Sequence, residues 1–268
     1  MLIRGDARRL PLRDACVDAV VTSPPYFGLR DYGHGQQIGL EPTPDAYVAA
    51  LVAVFREVKR VLKPQGAVFL NLGDSYVSSP RGNAEGDWST SSLTNPERQD
   101  RVARPRGATS QRNGRSNSDE QLSPNRRVLP GLKTKDLIGV PWRVAFALQA
   151  DGWYLRSDII WSKPNPMPES VVDRPTKAHE YLFLLSKQKR YYYNAAAIAE
   201  PVSAAMLQQV EEGYEGLGLK DYESASRGLG RNKRSVWTIP RMPYAGAHFA
   251  TMPEKLVEPC ILAGCPMG

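Results

Sequence analysis

Apolar and polar positions alternate along this chain with two rhythms, and each rhythm predicts an element. Val17-Asp18-Ala19-Val20-Val21 is short, apolar and β-branched, which predicts a buried strand of a parallel sheet. Pro24 and Pro25 follow and stop the ladder, because neither has an N–H to donate. Tyr47, Val48, Leu51, Val54, Phe55, Val58, Val61 and Leu62 recur at helical spacing. Thr43 stands at that helix's N-cap, Pro44 at its first position and Asp45 in its first turn, while Lys63-Pro64-Gln65-Gly66 is expected to end it. The strand Ala67 to Leu72 comes next, so a helix crosses between two parallel strands, the unit of a doubly wound sheet.

Farther on, Leu137, Val140, Val144, Phe146, Ala147 and Leu148 predict an amphipathic helix opening at Asp136, with Pro141 near its first turn and Asp151-Gly152 at its close. Tyr154 to Trp161 and His179 to Ser186 read as an antiparallel hairpin at the sheet's edge. The loop between them carries Pro164, Pro166, Pro168 and Pro175, which stiffen a projecting segment. Met1 to Asp6 reads as a short edge-like strand, and Pro253 to Ala263 as a helix backing the sheet.

Composition changes the picture in one place. From Val77 to about Lys133 Ser, Asn, Gly, Pro and Arg dominate, and eight arginines face three acids between Arg98 and Arg127. Such a stretch is either a solvated flexible insert or a basic arm that neutralises phosphates. The whole chain, 268 residues at a formal charge of +7, favours a polyanionic partner. No apolar run approaches the roughly 18 residues of a membrane span, and no leader is visible at Met1. Cys16, Cys260 and Cys265 make no disulfide framework, and with three scattered histidines they make no metal-ligand set. The expectation is a cytoplasmic protein with no metal and no membrane contact.

The candidate chemistry lies where open α/β sheets place their ligands, at the carboxyl end of the first predicted strand: Thr22-Ser23-Pro24-Pro25-Tyr26. An exocyclic amino group on a planar base is a poor nucleophile, because its lone pair is delocalised into the ring. Two acceptors that take both of its hydrogens draw the nitrogen toward tetrahedral geometry. The Ser23 hydroxyl and the Pro24 carbonyl are candidates for those acceptors, and Tyr26 for stacking on the base. The plainer alternative is a strand ending in a Pro-Pro turn with a solvent-facing tyrosine. In the glycine-rich loop that follows, His34 reads as a solvated residue rather than a base.

Val21 to Tyr26 resembles the catalytic signature of the DNA amino-methyltransferases that modify cytosine N4 or adenine N6, in the T-S-P-P-(Y/F) form associated with cytosine N4. His248-Phe249-Ala250-Thr251-Met252-Pro253 resembles the same family's H-x-A-x-x-P motif, and Trp161 to Pro168 its W-x-K-x-N-x-x-P stretch. The resemblance implies an α/β fold with a Rossmann-like, S-adenosylmethionine-dependent methyltransferase sheet, circularly permuted into the β-type motif order. It implies Ser23, Pro24, Pro25 and Tyr26 as catalytic residues. For the cofactor, S-adenosyl-L-methionine, it implies Asp6, His248, Phe249, Ala250, Thr251 and Pro253. Asp6 as an adenine or ribose acceptor stands beside the simpler role of a turn carboxylate capping the next segment. Lys163 and Asn165 are implied contacts to DNA or to a flipped base. Arg231, Lys233 and Arg234 fall in the region where the family recognises its target, which would be small here.

The implied organisation is a catalytic half at 1–76, a basic insert at 77–133, a helix and edge hairpin at 134–194, a target-recognition region at 195–235 and a cofactor-side motif and helix at 236–268. In the family a D-P-F-x-G-S-G cofactor loop follows this last helix, and the sequence ends at Gly268 without one. The expectation is a sheet incomplete at its C-terminal end, in a truncated product or in one completed by a second polypeptide. The implied partners are double-stranded DNA and a cognate restriction endonuclease. The reaction implied is direct attack of a flipped cytosine N4 on the cofactor's methyl group. Adenine-N6 transfer, a catalytically silent DNA-binding remnant and methylation of a protein glutamine amide remain open alternatives. Cys260 follows Pro259, as a cytosine-C5 nucleophile would, but its apolar helical surroundings mark a buried structural thiol.

Overall fold

In the computed structural model of the chain, residues 3–33, 35–78, 129–201, 208, 230–242 and 251–266 are described. Strand β1 (Val17–Thr22) leads through a loop to helix α1 (Pro44–Val61). The Thr43 hydroxyl accepts the Ala46 amide at 3.1 Å, and Pro44 occupies a position where a missing N–H costs nothing. Strand β2 (Leu62–Leu72) returns parallel to β1. The predicted Lys63–Gly66 loop is absent, because the strand begins at Leu62. Its register jumps from Val17↔Leu62 to Ala19↔Ala67, so those four residues bulge out of the ladder. Lys63 binds both carboxylate oxygens of Asp18 there, at 2.8 and 2.9 Å. Gly66 fits beneath, where a Cβ would stand 2.7 Å from the Asp18 carbonyl.

Helix α2 (Val140–Ala150), strands β3 (Tyr154–Ser162) and β4 (His179–Ser186), strand β5 (Val236–Thr238) and helix α3 (Glu254–Gly264) complete the described elements, with one turn of 3-10 helix at Ala196–Ile198. The strand order is β1-β2-β4-β3-β5, parallel at both ends and antiparallel in the middle. The predicted hairpin exists but does not form the edge, since the three residues of β5 pair beyond β3. Helix α2 starts four residues later than expected. Leu137 is spent on a bridge to Tyr76, and Phe146, assigned to the buried face, is exposed against Trp142. No strand forms in the described part of the expected Met1–Asp6 strand: Asp6 sits in a turn, bridged to Arg9.

Period-two alternation divides the core. Val68, Leu70 and Leu72 of β2 with Phe183 and Leu185 of β4 pack under α1 and α2. Ala67, Phe69, Leu182 and Leu184 face the other way, onto Leu256, Cys260 and Ala263 of α3. Each such buried Leu, Val or Phe contributes about 1.5–3 kcal/mol. The chain leaves this core after Val77 and is back in it at Leu129, and the two ends lie side by side through Val77 N–H to Asp136 O at 2.9 Å and Lys135 N–H to Val77 O at 2.9 Å. Nearly all of the basic insert, and most of the expected target-recognition region, lie outside the described residues. Among the described residues no helix is long and apolar enough to cross a membrane, and no His, Cys, Asp and Glu cluster could hold a metal.

Candidate active site

Beyond Thr22 the chain leaves the sheet, and the two prolines carry Tyr26 across to the end of β2. Its ring lies on Gly73, where a Cβ would stand only 2.6 Å from Cε2. The phenol donates to Glu180 Oε2 at 2.6 Å, with Asn71 Oδ1 at 3.0 Å, and the Ser23 hydroxyl donates to the phenol oxygen at 3.4 Å. Asn71, 1% exposed, spends its amide hydrogens on Glu180 Oε2 at 3.0 Å and the Tyr181 carbonyl at 3.1 Å. The other oxygen of Glu180 pairs with Lys163, whose ammonium sits 4.2 Å from the centre of the Trp161 ring. Three strand ends thus fix one tyrosine.

The electrostatics follow from this crowding. Burial first, then the Glu180 charge, pushes the Tyr26 phenol well above its ordinary range, so it stays a neutral donor. Tyr47 is raised in the same direction by burial, and its hydroxyl donates to the Pro25 carbonyl at 2.8 Å. Among the described residues nothing donates to the Pro24 carbonyl. His179 is lowered by burial and by the Lys177 and Lys163 cations, and Lys177 is itself lowered by burial. Asp74 works structurally: its carboxylate accepts the amides of Ser75, Gly139 and Val140 at 2.9–3.1 Å, tying β2 to the start of α2.

These groups line a cleft of about 930 Å³. Pro24, Tyr26, Lys163, Asn165, Thr251 and Pro253 all line it, so the Pro-Pro turn and the segment expected to face the cofactor share one cavity. Ser23 and Pro25 are outside the lining but flank Pro24, which is in it, one bonded to Tyr26 and the other to Tyr47. Asn165 faces the cleft but uses its amide on Arg241, accepting the Arg241 amide at 2.9 Å and donating to its carbonyl at 3.2 Å. Asp6 is outside the lining, its carboxylate held below its usual range by hydrogen bonds from the Arg8 guanidinium and amide. Arg231 and Arg234 share the Glu200 carboxylate at 3.2 and 2.9 Å, and Lys233 lies over Trp237. His34, His248, Phe249 and Ala250 lie outside the described residues.

Glu180, Lys177, Arg241 and Met167 line the cleft without having been singled out in the sequence. Glu180 left one signal, a charge at the mouth of the apolar strand His179–Ser186.

The sequence profile of the DNA methylase family, the N6 and N4 amino-methyltransferases, matches residues 17–268. The chain belongs to this DNA methylase family. It is 45% identical over 269 residues to the type II methyltransferase M.SmaI of Serratia marcescens, spanning all of this chain and 76% of that protein. It is 45% identical over 271 residues to the type II methyltransferase M.Cfr9I of Citrobacter freundii, spanning 73% of the latter. Among solved structures, the PvuII DNA methyltransferase (cytosine-N4-specific) superposes with a TM-score of 0.55 over 98% of this chain and 69% of its own, at 15% identity, a likeness of fold. The α/β methyltransferase fold expected from the sequence is therefore the fold present.

DNA methylases of this family depend on S-adenosylmethionine, which supplies a methyl group on a positively charged sulfur. The cleft of this DNA methylase suits it. Met252 and the buried Pro253 offer apolar surface, and Thr251 adds a hydroxyl.

Proposed function

We propose that this chain transfers a methyl group from S-adenosylmethionine to the exocyclic N4 of cytosine in duplex DNA, the base being flipped out of the helix into the cleft. The observation that carries the proposal is the turn itself. The Ser23 hydroxyl, bonded to the Tyr26 hydroxyl, keeps a lone pair to accept, and the Pro24 carbonyl takes no hydrogen bond among the described residues. The Tyr26 ring, seated on Gly73, is held at the cleft as a stacking surface. With both amino hydrogens accepted, the nitrogen forms its new bond to carbon as the carbon–sulfur bond breaks, and the surplus proton passes to water. Lys163 and Asn165 border the base, Thr251 and Pro253 border the cofactor, and Arg231, Lys233 and Arg234 approach the DNA.

Serine ahead of Pro-Pro-Tyr favours cytosine over adenine, and the cytosine-N4-specific name of a protein sharing the fold agrees with it. The type II names of the relatives support a restriction endonuclease as cognate partner. The outer edge of β1 has no strand partner among the described residues, and Ile261 and Leu262 of α3 are 47% and 45% exposed. We propose that a further strand, from a second polypeptide or more of the same one, takes that edge. The test of the main reading is product analysis. DNA incubated with the chain and S-adenosylmethionine is digested to nucleosides and weighed by mass spectrometry. N4-methylcytosine is expected; N6-methyladenine would move the target to the other base, and DNA binding with no methylated product would leave a silent binder.

A further inference from the structure

Three large apolar side chains stand at the cleft with most of their surface in water. Leu29, Met167 and Met242 are 58%, 66% and 59% exposed, and all three belong to the lining that includes Tyr26. Apolar groups gathered at one exposed place mark a surface that something covers. Met167 is the most exposed of them and sits on the stiffest support, since Pro164, Pro166 and Pro168 fix the backbone around it. Both legs of its loop are also tied down. On one side Asn165 exchanges hydrogen bonds with the backbone of Arg241, whose Nε donates in turn to the Asn165 carbonyl at 3.1 Å. On the other, Arg174 pairs with Glu169 at 2.5 Å and lies 3.8 Å from the centre of the Tyr76 ring. The cationic groups of Arg30, Lys177 and Arg241 line the same mouth, which suits phosphates on either side of an opened step.

We propose that Met167 is a wedge: it enters the base stack of duplex DNA at the position vacated by the flipped base and fills the hole. The occupant of this surface is thus the base stack itself. The inference rests on the base-flipping reading above. A flipped base leaves two neighbours with an apolar gap between them, and methionine is among the side chains that proteins insert at such steps. An unbranched thioether adapts to the gap, and a loop already held in place loses little freedom on entering it.

The test uses the full chain and a duplex carrying the site found methylated in the product analysis, with 2-aminopurine replacing the target base. Its emission rises when it leaves the stack. The unaltered chain is expected to raise the emission, and Met167→Leu to match it. Met167→Gly is expected to lower the flipping equilibrium about tenfold, the ratio that about 1.4 kcal/mol of lost contact gives. Met167→Gly should melt like the unaltered chain, because the side chain is exposed. Equal emission from the glycine variant and the unaltered chain overturns the wedge and leaves the base pocket standing. No rise with the unaltered chain overturns both.

Discussion

Gly73→Ala adds one carbon at the point where the site has least room. The new Cβ would lie 2.6 Å from Tyr26 Cε2 and 3.0 Å from Cδ2, and neither atom is the loose end of a flexible chain. To restore ordinary contact the ring must retreat by about 0.8 Å. It cannot do so freely, because its hydroxyl is held by Glu180 at 2.6 Å and lies 3.0 Å from Asn71. A hydrogen bond to a charged group is worth about 1.5–3 kcal/mol net. Overpacking by one carbon costs about 1–3 kcal/mol by itself. The variant therefore either keeps the bond and stores strain or loses the bond and shifts the ring, and both routes cost about 1–3 kcal/mol. Gly73 has no left-handed backbone angle, so the contact alone accounts for the effect. Methyl-transfer kinetics and thermal melting read the two consequences: kcat is expected to fall about tenfold or more, with a lower melting midpoint. Tyr26→Phe removes the tether and lets the ring yield, so Gly73→Ala in that background should cost less than it does alone. Gly73→Ala with unaltered kcat and melting would refute the packing argument, and strictly additive effects of the pair would refute the tether.

Three further outcomes follow from the same geometry. Asp74→Ala removes the carboxylate that accepts the amides at the start of α2 and should cost about 1–2 kcal/mol, read as a drop of a few degrees in melting midpoint; an unchanged midpoint would contradict the capping role. Burial raises the Tyr47 pKa in the folded state, so an unfolded chain ionises near pH 10 while the folded one does not, and stability is lost as pH climbs above about 10. Tyr47→Phe should flatten that alkaline loss in urea titrations at about pH 8 and about pH 11, at a neutral-pH cost of about 0.5–1.5 kcal/mol for the bond to the Pro25 carbonyl. Burial pushes the Cys260 thiol up to about 12 and its S–H donates to the Leu256 carbonyl, so Cys260→Ala should keep methyl transfer; a folded but inactive variant would restore the thiol as a nucleophile.

What could be read from the sequence was what is local in it. The β1 strand, the capped helix α1, the run Ala67 to Leu72 and the two hairpin strands each declare themselves within a dozen residues or so by period and punctuation. The candidate turn Ser23 to Tyr26 stands out because its residues are contiguous. Lys63 to Gly66 carried the signs of a loop, and only the approach of Asp18 explains why proline and glycine there make a bulge in a strand instead. β5 is three residues long, too short for any period to show, so the edge was misplaced. Leu137 and Phe146 fit a helical stripe, but Leu137 was claimed by a bridge to Tyr76 and Phe146 by the side of Trp142. Glu180 stands 154 residues from Tyr26, and nothing in the sequence gives the register that sets Asn71 against Leu182.

That register explains why the turn is dependable at all. A strand followed by Pro-Pro has no ladder left to hold it, so the position of Tyr26 must come from elsewhere. The phenol has a single hydrogen and two acceptors within 3.0 Å, and the shorter contact, to a carboxylate, takes it. Glu180 in turn is aimed by Asn71 on β2 and by Lys163, which opens the proline-stiffened loop carrying Met167. One carboxylate therefore couples the ring that would stack on a base to the loop that would fill the gap left by that base. A turn free to drift could not hold the Ser23 hydroxyl and the Pro24 carbonyl to one amino group, as the proposed reaction requires. The polar network at the end of an otherwise apolar strand is thus what turns a sheet edge into a site.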